Sequence, residues 1–243
     1  MKNFALPIII SIAAIACFWI AANAVTYKFR NAETITVTGL AEKDFSSDQI
    51  AWSATYSRKS MDLKSAYALL KADESSVKNY LHQKGVTDSE MVFNSIDINK
   101  EFSNRFDANG REIGSEFTGY NLTQVVNVES KDIPKIEKLS REITELIQGG
   151  IELNSSSPSY YYSRLSELKI DLLAKASADA KLRAETIAKN SGSSLGGIKK
   201  ATMGVFQITG QNSNEDYSSG GVFNTSAKNK TASITMKIEF AVK

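Results

Sequence analysis

In Ala232–Val242, near the end of the chain, Ile234, Met236, Ile238, Phe240 and Val242 occupy every second position without a miss. Strict alternation puts these side chains on one face of a strand and leaves Ser233, Thr235, Lys237 and Glu239 on the other. Such a strand needs an apolar layer on one side and a polar surround on the other. That is the habit of an antiparallel sheet, since parallel strands tend to read as continuous apolar runs. The same period opens the domain: Ile35 and Val37 alternate with threonines, and Ile50, Trp52, Ala54 and Tyr56 with Ala51, Ser53, Thr55 and Ser57.

Elsewhere the period changes. Leu63, Ala66, Tyr67, Leu70, Val77 and Leu81 fall at helical spacing behind Asp62, a good N-cap, and ahead of Gly85. Asp132 caps a second helix carrying Ile133, Ile136, Leu139, Ile143 and Ile147, with Pro134 tolerated in its first turn and Gly149-Gly150 at its end. A third helix, from about Ser163 to Asn190, carries Ala174, Ala176, Ala178, Ala180, Ala184 and Ala188, small enough to let it lie close to a sheet. Two long strands, about 91–106 and 112–129, are joined at Asn109-Gly110, a dipeptide suited to a tight hairpin with two positive-φ residues. Its polar tip, 104–115, is expected to project beyond the sheet. A short strand near 151–153 and last strands at 201–209 and 232–242 complete the order β-β-α-β-β-α-β-α-β-β, an α+β arrangement of largely antiparallel sheets packed against helices. The polar segment 210–230 reads as a mobile loop.

Ahead of the first strand runs an apolar segment, residues 4–25, preceded by one lysine. Two readings stand: a signal peptide cut after Ala22-Asn23-Ala24, or an uncleaved anchor long enough to span a bilayer. Lys2 on one side and Lys28 and Arg30 on the other leave the orientation open. Cys17, the only cysteine, lies inside this segment, and apolar Phe18, Trp19 and Ile20 behind it suit a membrane-buried thiol better than a lipoprotein box. Disulfides and cysteine-based zinc sites are therefore excluded from the rest of the chain. Without Lys2 the chain carries 28 Lys and Arg against 27 Asp and Glu, a net charge of +1. Nucleic acid is not an expected partner, because phosphate binding needs a concentrated basic surface.

Little points to chemistry. His82 is the only histidine, so no metal cluster or serine–histidine nucleophile forms without it, and a helix-end role suits it best. The stretch 107–116 resembles a calcium loop only loosely, with threonine where the twelfth-position acid belongs. No phosphate-binding glycine loop occurs. No catalytic, metal or cofactor residues are expected. Tyr160, Tyr161 and Tyr162 read first as strand residues with alternating faces and second as a subunit contact. With Arg105, Phe106, Asn109 and Gly110 of the hairpin they make up the candidate interface.

Four stretches carry a resemblance: "TITVTGLAEKDFSSDQIAWSATYS" with its V-x-G-x-A opening, the alanine-containing "DLKSAYALLKADESSVKNYLHQKGV", "YNLTQVVNVESKDIPKIEKL", and "AKASADAKLRAETIAKNSGSSLGGIKKA". Together they make the chain, from about Thr34 to Val242, similar to the SIMPL family, the domain of unknown function 541. Ser47 departs from the family's Pro-Asp and bears on turn geometry alone. The resemblance implies a bacterial periplasmic or envelope location, two mixed lobes (about 33–130 and 131–243), self-association into rings and an association with envelope or oxidative stress. It supplies no catalytic residues. The resulting expectation is a non-catalytic homo-oligomeric scaffold, tethered to the inner membrane through residues 4–25. The alternatives are an accessory subunit with an integral membrane partner and a periplasmic ligand-binding module with Trp52, Tyr56 and the tyrosines around its pocket.

Overall fold

A computed structural model describes the backbone of residues 5–30 and 33–243, and the side chains of 10–26 and 33–243. Helix α1 (Ala5–Arg30) precedes strands β1 (Thr34–Ser46) and β2 (Gln49–Ser60), helix α2 (Leu63–Gln83), and strands β3 (Met91–Phe93), β4 (Asp97–Phe106) and β5 (Glu112–Ser130). Helix α3 (Ile133–Glu142) runs into a 3-10 segment (Ile143–Gly149), followed by β6 (Glu152–Ser155), β7 (Ser159–Tyr161) and α4 (Leu165–Asn190). Strands β8 (Leu195–Met203), β9 (Gln207–Gly210), β10 (Val222–Phe223) and β11 (Asn229–Val242) finish the chain. The architecture is α+β, and every strand pairing is antiparallel except β9 with β10.

Two sheets build two lobes, and the cut does not fall near residue 130. β1 pairs along its whole length with β11, Thr34 with Ala241 through to Ser46 with Asn229. This first sheet also holds β8, β9 and β10, and α4 lies on it. The second sheet, in the order β3-β5-β2-β6 with β4 on β5 and β7 on β2, is covered by α2 and α3. One lobe is therefore 49–161 and the other is β1 together with 165–242. Alternation told which face of β1 is buried, but a partner nearly 200 residues away leaves no mark in a local period.

The helices follow their sequence signals. Asp62 accepts a hydrogen bond from Ser65 N (2.8 Å) and Asp132 one from Lys135 N (3.1 Å), each capping its helix. The alanine stripe does what its size permits: Ala176, Ala180, Ala184 and Ala188 are all buried, and α4 presses its backbone onto β1 at Gly39. An ideal Cβ at Gly39 would lie 2.2 Å from Ala176 O and 2.5 Å from Ala180 N, so any side chain there collides with helix backbone.

Local differences from the sequence reading each have a cause. The strand expected at 91–106 breaks at 94–96, where Asn94 O accepts from Gln124 Nε2 (2.9 Å). The strand expected at 201–209 begins at Leu195 and breaks at Gly204, which packs on Thr235. The hairpin turn uses one positive φ, at Gly110 (76°), because Asp107 Oδ1 accepts from both Asn109 N and Arg111 N and holds the loop from its first residue. Segment 211–229 is tied down: Gln207 Oε1 accepts from Ser218 N and Val222 N, and Glu215 accepts from Gly210 N and Asn224 Nδ2. The apolar N-terminal segment does become a helix, with Ile12, Ile15, Phe18 and Trp19 exposed. Among the described residues, however, no helix is long and apolar enough to cross a membrane.

Candidate functional site

The chain crosses between lobes twice, at Ser47-Asp48 and at Tyr162–Arg164, and the two crossings are bonded to each other. Asp48 N donates to Tyr161 O (3.0 Å), while its carboxylate accepts from Ser163 N (2.7 Å) and Ser163 Oγ (2.6 Å). Burial pushes the Asp48 carboxyl up, but the Ser163 hydrogen bonds and the Arg164 charge outweigh it and hold the group below its ordinary range. Helix α4 has no side-chain cap of its own, so this carboxylate also supplies the anion that a helix start favours.

The tyrosines are divided among the joint's surfaces. Tyr160 packs against the core of the 49–161 lobe, donates its hydroxyl to Glu137 (3.0 Å), and donates its backbone N–H to Thr225 O (2.7 Å) across the junction. Tyr162 packs into the other core, 4.9 Å from the Phe45 ring and beneath Arg164. Tyr161 is left 37% exposed. Two of the three candidate interface tyrosines therefore join lobe to lobe within one chain, and only Tyr161 is free to meet anything else.

Lys230 closes the joint. It is 2% exposed, and its Nζ donates to Tyr160 O and to Asn224 O, each at 2.6 Å. Burial lowers its pKa, opposed by the charge of Glu215. Lys228 and Glu137 (3.4 Å) add an ion pair across the same boundary.

Beside the joint opens a cleft of about 950 Å³, walled by Gln49, Ile50, Glu90, Ser130, Tyr161 and Tyr162 among others. Glu90, Ser130, Asp132 and Ser163 of its wall are committed to hydrogen bonds within the chain. Burial pushes Glu90 up, but hydrogen bonds from Ser130 Oγ (2.5 Å), Thr87 N and Oγ1 (3.0 and 3.1 Å) and Lys135 (3.3 Å) overcome this and bring its pKa down to about 2. Tyr56, expected near such a pocket, lies instead in the core with its hydroxyl on Gln124 (2.6 Å), and burial raises its pKa. Trp52 is also buried, donating to Ser155 Oγ (3.0 Å).

The β4–β5 arm is the other exposed feature. It leaves the sheet beyond the Ser60–Tyr120 pair, beside the start of α2, and presents Ile98, Phe102, Phe106 and Ile113, each more than half exposed. Phe102, Phe117 and Tyr120 form an edge-to-face series back toward the core, with centroids 5.7 and 5.1 Å apart. The tip expected to be polar therefore carries an apolar face, and Phe106 is part of it. Arg105, Asn109 and Gly110 sit exposed around the same tip.

His82 stands on the surface, its Nε2 3.4 Å from an Asp88 carboxylate that also receives Lys78. Among the described residues no group of three His, Cys, Asp or Glu is placed to hold a metal.

The family model for SIMPL, described as a protein of unknown function (DUF541), matches residues 35–242. The chain belongs to the SIMPL family. No curated protein matches it. The match runs from the start of β1 to the end of β11, so the SIMPL domain comprises both lobes and the joint between them. Its V-x-G-x-A opening, Val37 to Ala41, has a physical reading: Val37 and Ala41 enter the core on either side of Gly39, which seats α4. Lys230 and Glu90 escaped the sequence reading. Lys230 did carry a signal, since it has the parity of Ala232 and Ile234 and continues the buried face of β11 as a charged residue. Glu90 carried none.

Proposed function

We propose that this SIMPL protein is a non-catalytic, self-associating scaffold of the bacterial cell envelope, held at the inner membrane by α1 and displaying its two-lobed domain in the periplasm. The observation that carries the reading is the arm, a strand pair with an uncovered apolar face running past the helix layer. Soluble surfaces seldom leave large contiguous apolar patches without a partner. The apolar side chains around α1, together with Ala13, Ala14, Ala16, Ala21 and Ala22, support a bilayer setting and close contact with a membrane partner. A doubly cross-linked lobe joint supports a rigid building block in place of a hinged binder.

The native mass of the detergent-extracted full chain, with intact-chain mass spectrometry of the same sample, tests this. A multiple of the subunit mass with Met1 to Val25 retained supports a tethered oligomer. A monomer beginning at Val25 refutes it and favours the second reading, a ligand-binding module built on the cleft beside Tyr161.

A further inference from the structure

The self-association proposed above leaves open which surfaces meet. Among the described residues β4 pairs only with β5, and its other edge is open along all ten residues. Both register shifts in the arm place the extra residue in β5, at Thr118 and at Ile113. β4 itself thus keeps strict alternation, with Ile98, Lys100, Asn104 and Phe106 on one face together with Phe102 at the centre.

That face is a palindrome of apolar residues, Ile98-x3-Phe102-x3-Phe106, with Phe102 in the middle. We propose that β4 pairs antiparallel with β4 of a second copy of this chain about a two-fold axis at Phe102, joining two arms into one four-stranded sheet. An axis normal to the sheet keeps each face on its own side, so even-numbered residues meet even-numbered ones. With Phe102 opposite Phe102 of the second copy, Ile98 meets Phe106 and Phe106 meets Ile98. All three apolar rungs are matched at the 4.5–5.5 Å spacing at which cross-strand pairs interact, by order of magnitude.

The charges are compatible with this register, and the apolar rungs distinguish it from its neighbours. Lys100 faces Asn104 of the second copy, Glu101 faces Ser103, and Arg105 faces Asn99; the one like-charge pair, Asp97 with Asp107, falls at the outer end of the strand beyond the last apolar rung. Moving the axis back one residue sets Glu101 against Glu101. Moving it forward one would pair Glu101 with Arg105, but it sets Phe102 against Asn104 and Phe106 against Lys100 and so breaks the apolar rungs. Pairing also covers the open edge, which otherwise displays unpaired N–H and C=O groups beside exposed phenylalanines.

The proposal rests on the self-association reading, and the test separates the two. In full-length chain carrying Cys17→Ser, single cysteines are placed at residues 98, 100, 102, 104 and 106 and oxidised, and the native mass of a Phe102→Glu variant is measured alongside. Cross-linking should peak at residue 102. A cysteine at 104 stands four residues out of register from its twin, about 14 Å along the strand, beyond disulfide reach. Phe102→Glu should lose the arm-mediated contact and drop the native mass by half or more, with the far-ultraviolet circular dichroism of the fold retained because the side chain is more than half exposed and packs on the arm's own Phe117. Equal cross-linking at all five positions, or a wild-type mass for Phe102→Glu, overturns arm pairing and leaves self-association through another surface standing. A monomeric parent chain overturns both.

Discussion

Replacing Gly39 by alanine tests the seating of α4 on the first sheet with one methyl group. The added Cβ would stand 2.2 Å from Ala176 O, 2.5 Å from Ala180 N and 2.8 Å from Ala180 Cβ, where ordinary contact begins at 3.4 Å. Relieving the closest of these requires 3.4 − 2.2 = 1.2 Å of separation between strand and helix backbone. No rotamer change supplies it, because two of the three obstructing atoms are main chain. A lift of that size stretches the hydrogen bond from Leu40 N to the Asp179 carboxylate, 2.9 Å long, beyond bonding range. It also opens a gap along Leu168, Leu172, Ala176, Ala180 and Ala184, and a gap of up to 1 Å already forfeits about a quarter to a half of each dispersion contact. Overpacking costs roughly 1–3 kcal/mol and the lost bond about 1 more, so the expected destabilisation is about 2–4 kcal/mol. Urea unfolding of the full chain, followed by circular dichroism, measures it. Gly149→Ala is the control, since its Cβ meets nothing within 4 Å and its φ is not positive; it should stay within about 0.5 kcal/mol of the parent. Ala180→Gly should not rescue Gly39→Ala, because it removes only the 2.8 Å contact. A loss below about 1 kcal/mol for Gly39→Ala, or one equal to the control's, would refute close seating of the helix.

The lobe joint and the cleft wall give the other expectations. Lys230→Met keeps the length of the side chain but leaves Tyr160 O and Asn224 O without their shared donor, and should cost about 2–4 kcal/mol in thermal or urea unfolding; a change under about 0.5 would mean that the amine is dispensable to the joint. Glu90, with its pKa lowered from 4.5 to about 2, contributes stability that is fully present above pH 4.5 and is lost as the pH falls toward 2. The shift corresponds to about 3 kcal/mol, so Glu90→Gln should flatten stability against pH across that window, and an unaltered profile would disprove the assignment. Ser47 Oγ is buried without a hydrogen-bond partner among the described residues, so Ser47→Ala should be neutral or stabilising by up to about 1 kcal/mol, whereas a clear loss in the urea midpoint would reveal a partner for the hydroxyl.

What the sequence disclosed and what it withheld divide along a physical line. Period and capping are local, so the face of each long strand, the Asp62 and Asp132 caps and the alanine stripe of α4 could all be read from the residues. Pairing between distant strands is not local. Nothing near Thr34–Ser46 says that β1 will cross to the far end of the chain and lie beside β11, and so the lobe boundary was misplaced. The tyrosine triplet shows the same limit from the other side. Alternation predicts that Tyr160 and Tyr161 point to opposite faces, and they do, but only the crossover at Ser163 determines that Tyr162 belongs to a different core. The polar 211–229 segment looked free because its composition is that of a loop. Its order comes from Gln207, Glu215 and Asn224 satisfying backbone groups at separations of two to fifteen residues.

The same distinction bears on the candidate surfaces. A residue that looks available in the sequence can be consumed by the fold, as Tyr160 and Tyr162 are by the lobe joint. Others stay exposed after every element has found its place, and Phe102 and Phe106 are in this group. Exposure of one aromatic residue has little meaning. Four large apolar side chains on a single projecting arm, beside an unpaired strand edge, are harder to reconcile with a surface that faces only water. An isolated arm of this kind also invites unregulated edge pairing, which natural sheets avoid by placing charges along the edge. Lys100, Glu101 and Arg105 stand on β4 in that protective role, yet a twin centred on Phe102 sets none of these three against a like charge and is the register that matches all three apolar rungs. An edge guarded against other partners and open to one register of itself is what selective self-pairing requires.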